Sequence, residues 1–324
     1  MFDDRDSNKV PAPTKARTWN RWILRTLLIY VAVPYVAIVI GIVAIQRRMI
    51  YQPRKTERLL AKSVSSTQRP VEDTELRASD DLKLHGWRFH AAKPQSEPNF
   101  LVLYFPGNAG CRADRVLDCC EFADLGCDVV LFDYRGYGDN GGAPSETALS
   151  ADARRAWQFA VSELHVPPER IILYGESLGG AMATRIAAEF SQAGTPPAAL
   201  VLNSVFAALG ETVAWHYPGF PFQYLLLDRY PSVQRIPHIQ CPLLQFHGTA
   251  DEVVAFEHGR RLFDAAPGQS SAGIEKQFIR IQGGQHNFIG VSDMHASLKE
   301  LMKKIRTAAS DTVSRQDPDI EHAN

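Results

Sequence analysis

A serine between glycines is the first feature of this sequence that could do chemistry. Residues 170–180 read Arg-Ile-Ile-Leu-Tyr-Gly-Glu-Ser-Leu-Gly-Gly, an apolar run that ends in G-x-S-x-G and passes into a helical pattern. This pattern predicts a sharp strand-to-helix turn with Ser177 at its tip, where a hydroxyl can act as a nucleophile. Gly175 and Gly179 allow neighbouring backbone to crowd that turn. By itself the pattern is weak, because glycine and serine are also common in ordinary surface turns.

A nucleophilic serine needs a base, and the base needs an acid that orients it. For a serine on such a turn, the chain order is serine, then acid, then histidine. Asp251 follows the apolar run at 242–246, and His286 lies in a glycine-rich loop after the run at 277–281. Because parallel strands end at the same edge of a sheet, we expect both residues to meet Ser177 there. The three residues predict acyl transfer through a covalent intermediate.

Other residues compete for the roles of base and acid. The competitors are His247, His258 and His216 for the base, and Glu252 and Asp228 for the acid. We favour His286 because it combines the glycine-rich loop, the position after the last strand and the expected chain order. We favour Asp251 because it lies nearest to the end of its strand.

Acyl transfer also needs two backbone donors for the oxyanion that forms at the carbonyl. One donor is expected to be the N–H of Leu178, the residue after the nucleophile, and the other should lie in a loop after an earlier strand. The apolar run at 100–105 is followed by Pro-Gly-Asn-Ala-Gly, so Asn108 is the candidate for the second N–H. The alternative is a plain glycine turn between a strand and a helix.

Several segments, taken in their order and spacing, resemble the α/β-hydrolase superfamily. The similarity is greatest to its membrane-anchored lysophospholipase-like and depalmitoylase-like branch, which also groups with serine aminopeptidase-like domains. The segments are Phe105–Gly110, Asp133–Gly138, Pro144–Glu146, Leu173–Gly180, His247–Asp251 and Gly284–Asn287. The resemblance covers residues 81–305. It implies the nucleophile at Ser177, the acid at Asp251, the base at His286, and the oxyanion donors at Asn108 and Leu178.

The chain departs from the pattern of that superfamily at Pro106 and Asn140. Pro106 stands where the family loop usually has histidine, and Asn140 stands where it usually has serine. Proline removes one backbone N–H and stiffens the start of the loop, but it leaves the N–H of Asn108 in place.

An uncharged apolar stretch near the start, Thr26 to Ile45, is the second informative feature. As a helix it would span about 30 Å, the thickness of the hydrocarbon core of a bilayer. Trp19, Trp22 and Tyr51 stand where aromatic belts are expected. We therefore predict a retained single-pass membrane anchor at 21–47, in preference to a cleaved signal peptide or a buried core helix. Basic residues flank it almost equally, which leaves its orientation open.

Composition excludes few classes of function. A net charge of −1 gives no argument for binding to nucleic acid. The five cysteines have no metal-ligand spacing and fit small buried apolar positions. The predicted chemistry requires no metal and no organic cofactor. Nothing in the composition indicates an oligomeric state.

The remaining pattern predicts one α/β domain with a mostly parallel central sheet and helices on both faces. Parallel strands are expected at 100–105, 128–133, 170–174, 199–203, 242–246 and 277–281, after an early antiparallel strand at 82–89. Helices are expected at 145–164, 178–191, 256–266 and 293–307. The predicted divisions are a disordered tail at 1–20, the anchor at 21–47, a connector at 48–70, the α/β-hydrolase domain at 71–307 and a disordered tail at 308–324.

An aromatic-rich insertion at about 205–238 interrupts the alternation of strands and helices. In the fold that the resemblance implies, such an insertion lies over the nucleophile as a short lid. Phe222 and Leu226 are the candidates for contact with an acyl chain. The alternative is that these side chains only bury themselves against the domain.

Together these features predict a membrane-anchored serine hydrolase that cleaves a carboxylic ester or thioester of a lipid or another acylated substrate. One alternative is an aminopeptidase-like peptidase, which would need an acidic site for a free amine. The other is a catalytically silent interaction module on the same fold.

Overall fold

The computed structural model describes residues 15–67, 69–92, 99–287 and 290–316. The outer parts of both predicted tails, 1–14 and 317–324, lie outside these ranges. The inner parts differ from the predicted disorder, since the first helix begins at Lys15 and the last helix ends at Gln316. Alanine favours helix, and Ala308 and Ala309 help to explain why the last helix continues past residue 307.

The chain divides after Gln46 into two compact units. Helix α1 (Lys15–Leu27), a π-helical turn (Leu28–Ala32) and helix α2 (Val33–Ile50) follow one another without a break. The stretch Trp19–Ile50 is long and apolar enough to cross a membrane, and its most apolar window is not buried within the protein. By length and composition it is a candidate membrane span.

An eight-stranded sheet forms the centre of the second unit, with strand order β10-β9-β8-β7-β4-β6-β3-β2. Its strands are β2 (Val71–Arg77), β3 (Lys83–Phe89), β4 (Leu101–Phe105), β6 (Asp128–Phe132), β7 (Ile171–Glu176), β8 (Ala199–Asn203), β9 (Leu243–Gly248) and β10 (Gln277–Ile281), while β1 (Gln52–Pro53) and β5 (Ala109–Gly110) form a separate parallel pair. Strand β3 pairs antiparallel with β2 and with β6, and the other pairs in the sheet are parallel. The predicted mostly parallel sheet is confirmed.

Helices cover both faces of the sheet. The helices of this unit are α3 (Val116–Asp124), α4 (Glu146–Gln158), α5 (Leu178–Gln192), α6 (Leu209–His216), α7 (Phe222–Leu225), α8 (Ser232–Arg235), α9 (Phe256–Ala265) and α10 (Val291–Gln316). Successive side chains of β4 point to opposite faces. Leu101 and Leu103 belong to a buried cluster with residues of α4 and α5, whereas Val102 and Tyr104 belong to a second cluster with residues of α3 and α10. The predicted two-faced α/β architecture is confirmed.

The predicted connector at 48–70 packs as part of the second unit. Tyr51 is only 3% exposed, which corrects its expected place in an aromatic belt at a membrane surface. Its hydroxyl finds hydrogen-bond partners in the protein at Asp228 and Tyr230. Further along, the Leu59 N–H donates to Asp139. These contacts lack any local sequence pattern, so the sequence did not reveal them.

A buried arginine ties together the loops that follow β4 and β6. Arg112 is fully buried and contacts Asp133 at 2.5 Å and Asp139 at 2.6 Å. It also donates to the Leu59 carbonyl at 2.8 Å and lies 5.0 Å from the centre of the Trp87 ring. Burial raises the pKa of Asp133 to about 6, although the guanidinium beside it acts in the opposite direction.

Replacing this arginine should destabilise the fold. Arg112→Met leaves the buried carboxyls of Asp133 and Asp139 without their cation, and we expect a loss of about 3–5 kcal/mol in the free energy of unfolding. Arg69→Met, which breaks the partly exposed pair with Asp124, should cost no more than about 1 kcal/mol. Denaturant titration of both variants measures the difference, and equal losses would contradict the assigned role.

Candidate active site

Ser177 lies in the turn between β7 and α5, in a strained conformation. Its backbone has φ 50° and ψ −115°, which residues with a side chain rarely adopt and which costs about 1–3 kcal/mol. The Ser177 N–H donates to the Asn203 carbonyl of the neighbouring strand at 2.9 Å, which helps to hold the turn. The predicted strand-to-helix turn is therefore present.

Two glycines, which have no side chain, allow this turn to pack tightly. A Cβ on Gly175 would overlap the backbone of Gly180, and a Cβ on Gly179 would overlap the carbonyl oxygens of Phe105 and Pro106. Helix α5 therefore begins in direct contact with the end of β4. The turn that carries Ser177 and the loop that follows β4 are neighbours for this reason.

The structure brings Ser177, His286 and Asp251 into one chain of hydrogen bonds. Nε2 of His286 lies 3.0 Å from Oγ of Ser177, and its Nδ1 lies 2.8 Å from Oδ2 of Asp251. The three residues follow β7, β9 and β10, which are parallel strands of one sheet. The sheet brings these three residues together although they lie far apart in the chain, as the sequence pattern predicts.

The surroundings of Asp251 keep its carboxyl ionised. Its second oxygen, Oδ1, accepts hydrogen bonds from the N–H groups of Val253 at 2.9 Å and Val254 at 2.8 Å. Burial alone would raise its pKa, but the hydrogen bond and charge of His286, with the Val254 amide, outweigh burial and hold the pKa of Asp251 below its usual value. A carboxylate only accepts hydrogen bonds, so Nδ1 of His286 carries a proton and Nε2 is left to accept one from Ser177.

The histidines that competed with His286 have other surroundings. His247 is fully buried at the end of β9, where its Nε2 donates to the Val254 carbonyl at 2.9 Å. Burial lowers the pKa of His247, which keeps the ring neutral beside Asp251. Nε2 of His216, in the lid, lies 2.9 Å from the Val253 carbonyl oxygen. His258 lies in α9.

The competing acids are also placed elsewhere. Glu252 is exposed. Asp228 is buried, and its carboxylate accepts hydrogen bonds from Arg47, Tyr51 and the Glu146 N–H. These contacts give Asp228 a structural role at the base of the lid.

One backbone N–H next to Ser177 and one in the loop after β4 have no hydrogen-bond acceptor among the described residues. Leu178 is the first residue of α5, where an N–H has no acceptor within the helix. Within the described part of the chain, neither its N–H nor that of Asn108 donates a hydrogen bond. The Asn108 carbonyl, by contrast, accepts from the Gln52 N–H at 3.0 Å and from the Tyr137 hydroxyl at 2.8 Å.

An ion pair next to Ser177 was not predicted from the sequence. Glu176, the residue before Ser177, binds Arg115 through both carboxylate oxygens, at 2.8 and 3.1 Å. It also accepts from the Tyr104 hydroxyl at 3.2 Å, and it lies beside Gly107. A charged residue inside the serine motif, at the end of an otherwise apolar strand, is the signal that could have indicated a partner of opposite charge within the protein.

The predicted lid contains α6, α7 and α8, and it buries both candidate substrate residues. Phe222 is 5% exposed and packs against Tyr217 and Phe220, with ring centroids 5.9 and 5.1 Å apart. Leu226 is 8% exposed. The described ring contacts of Phe222 thus lie within the lid, and contact with a substrate stays a prediction for both residues.

Comparison with known proteins identifies the family. A family model described as the alpha/beta hydrolase fold matches residues 101–233. The chain belongs to the α/β-hydrolase family. This hydrolase is 40% identical over 264 residues to an uncharacterized protein of Mycobacterium tuberculosis (strain CDC 1551), in a match that covers 79% of this chain and 88% of that protein.

Other proteins that are similar to this hydrolase in sequence or in fold have a named activity or a solved structure. It is 36% identical over 208 residues to the lysophosphatidylserine lipase ABHD12 of Danio rerio, in a match that covers 58% of this chain and 54% of that protein. Its fold is similar to that of an esterase from Pyrococcus furiosus, with a TM-score of 0.59 at 17% identity, over 79% of this chain and 99% of the other. At that identity the esterase shows the shared fold alone.

A methyl group at Gly179 should impair the hydrolase. In Gly179→Ala the new Cβ pushes α5 away from Phe105 and Pro106, and a displacement of about 1 Å in an active site can lower the rate about 100-fold. We expect kcat/KM toward p-nitrophenyl esters to fall by about that factor. Gly268→Ala is the matched control, because a Cβ at Gly268 meets no atom within 4 Å. Full activity of Gly179→Ala would show that the close contact is dispensable.

Proposed function

We propose that this α/β hydrolase is a membrane-anchored serine hydrolase that cleaves a carboxylic ester or thioester of a lipid or another acylated substrate. The observation that carries the proposal is the line of hydrogen bonds from Asp251 through His286 to Ser177. A hydroxyl, an imidazole and a carboxylate in this order form the arrangement that activates a serine for attack on a carbonyl carbon.

The first half of the reaction transfers the acyl group to the enzyme. His286 accepts the Ser177 proton at Nε2 while Oγ attacks the carbonyl carbon of the substrate. Asp251 stabilises the imidazolium that forms. The carbonyl oxygen becomes an oxyanion, which accepts hydrogen bonds from the N–H groups of Asn108 and Leu178. These donors act mainly in the transition state, where the negative charge develops.

Departure of the leaving group completes acyl transfer, and hydrolysis of the acyl-enzyme then returns the enzyme to its starting state. The bond from the carbonyl carbon to the leaving oxygen or sulfur breaks as the His286 imidazolium gives that atom its proton, so an alcohol or thiol departs and the acyl group stays on Oγ of Ser177. A water molecule then loses a proton to His286 and attacks the acyl carbon. When this second intermediate collapses, the bond between the acyl carbon and Oγ of Ser177 breaks, His286 returns its proton to Oγ, and the acid is released. The proton of Ser177 thus leaves with the alcohol or thiol, and one proton of the water molecule replaces it, so the enzyme is unchanged after each turnover.

Two observations favour a lipid as the source of the ester. The relatives with a named activity include lysophosphatidylserine lipases at 34–36% identity. The stretch Trp19–Ile50 has the length and composition of a membrane span, and we assign it as the anchor. An enzyme anchored in a bilayer meets acylated lipids at a high local concentration.

Loss of the Ser177 hydroxyl should abolish both turnover and labelling. In Ser177→Ala the nucleophile is absent, so we expect kcat to fall by roughly 10⁴-fold or more and labelling by a fluorophosphonate probe to disappear. Ester hydrolysis and probe labelling of the purified full-length protein measure this. Ser63→Ala, at an exposed serine, should react as the unchanged protein does. Persistent labelling of Ser177→Ala would disprove the assignment of the nucleophile.

The lid is proposed to select the length of the acyl chain. Leu226→Ala and Phe222→Ala enlarge the buried apolar interior of the lid, and each should shift the preference in kcat/KM among esters of increasing chain length. Leu227→Ala is a matched control, since this neighbouring leucine is 63% exposed. A profile that is the same in all three variants would show that the lid interior does not contact the acyl chain.

A further inference from the structure

The segment that leads out of the apolar helix contacts the loop to which the oxyanion is assigned. The side-chain Nδ2 of Asn108 donates to the Ile50 carbonyl at 2.7 Å, and the Gln52 N–H donates to the Asn108 carbonyl at 3.0 Å. Two residues further on, the Arg54 N–H donates to the Gly110 carbonyl at 3.0 Å. The segment and the loop are thus paired as two short parallel strands, β1 and β5.

Tyr51 holds this segment in the second unit. It lies between Ile50 and Gln52, two residues of the segment that contact Asn108. Its hydroxyl is 2.6 Å from the Tyr230 hydroxyl and 3.0 Å from Oδ2 of Asp228. Since Tyr51 is buried, these hydrogen bonds are shielded from water and resist displacement. The backbone on either side of Tyr51 is therefore fixed relative to the protein core.

Asp228 binds Arg47, near the end of the apolar helix, as well as Tyr51. Its carboxylate is 2% exposed and also accepts from Arg47 at 2.9 and 3.2 Å, in the two-pronged geometry that arginine forms with carboxylates. The Glu146 N–H donates to the same carboxylate at 3.0 Å. One buried carboxylate thus joins the start of α4, the base of the lid and the end of the apolar helix.

The loop that carries Asn108 needs such support. It contains Gly107 and Gly110, which restrict the backbone little, and Pro106, which cannot donate a hydrogen bond. Among the described residues, the Asn108 side chain is held by its hydrogen bond to the Ile50 carbonyl. An N–H that must meet a developing charge loses much of its effect when it is displaced by about 1 Å.

We propose, on the basis of the function proposed above, that residues 50–54 are a positioning element of the active site. Tyr51 fixes the segment, and the segment fixes the Asn108 loop so that its N–H meets the oxyanion. Tyr51 and the Asn108 side chain are positioning residues here, since they act through the Asn108 backbone N–H. The segment that follows the apolar helix would then position the active site as well as connect it to the proposed membrane anchor.

Two variants of the full-length protein in detergent test this inference. Asn108→Ala keeps the backbone N–H but removes the hydrogen bond to Ile50, and Tyr51→Phe removes one hydroxyl. Both should lower kcat per titrated active site by roughly 10- to 100-fold and leave KM nearly unchanged, because an oxyanion donor acts on the transition state. A purely structural role would lower the melting temperature without changing kcat per titrated site.

The double variant tests whether the two residues act through the same element. If Tyr51 works by holding the Asn108 loop, Tyr51→Phe should add little to the loss of kcat already caused by Asn108→Ala. Effects that multiply would show that the two residues act independently, and would overturn the inference. Tyr51→Phe deletes a single oxygen atom and carries the test alone if Asn108→Ala does not fold.

Ser191→Ala is the matched control for the loss of one buried hydroxyl. Ser191 is 1% exposed, and its hydroxyl accepts a hydrogen bond from the Gln240 N–H at 3.0 Å. It lies near the C-terminal end of α5, whereas Ser177 directly precedes the N-terminal end. This variant should lower stability and leave kcat per site unchanged. Unchanged kcat and KM in Tyr51→Phe and Asn108→Ala, with turnover that still depends on Ser177, would overturn the positioning role alone. Turnover that does not depend on Ser177 would overturn the proposed function as well.

Discussion

The close approach of helix α5 to the end of β4 is the constraint on which the site depends. It is possible because Gly179 has no Cβ to meet the carbonyls of Phe105 and Pro106. The contact places the Leu178 N–H beside the loop that carries Asn108. The residue two positions before Gly179, Ser177, has a strained backbone with a positive φ. Packing of the sheet and helices elsewhere compensates for this strain, as is common at functional sites.

Buried and partly buried ion pairs hold the loops that meet at this edge of the sheet. Loops lack the regular hydrogen bonds of helices and strands, so their positions need other contacts. Arg112 joins Asp133 and Asp139, and Arg115 joins Glu176. Removing charges from water is costly, and such pairs contribute less to net stability than their number implies. Their geometric effect is to hold the loops around Ser177 in one arrangement.

Much of the fold could be predicted because its signals are local. The parallel strands are continuous apolar runs, and β4, β7 and β9 were predicted within a few residues of their bounds. Strand β2 was missed because it lies at the edge of the sheet and reads Val-Glu-Asp-Thr-Glu-Leu-Arg, mostly polar residues with exposed side chains. The short strand β1 was missed because two residues carry no periodicity.

The sequence by itself determined which residues stand at the ends of the strands, and therefore Ser177, Asp251 and His286 as candidates in the right order. Only the tertiary structure decided the hydrogen bonds among them and the contacts of Tyr51 with Asp228. The reason is physical: periodicity and turn chemistry act over a few neighbouring residues, whereas these contacts join residues far apart in the chain. Their partners are selected by the packing of the whole sheet.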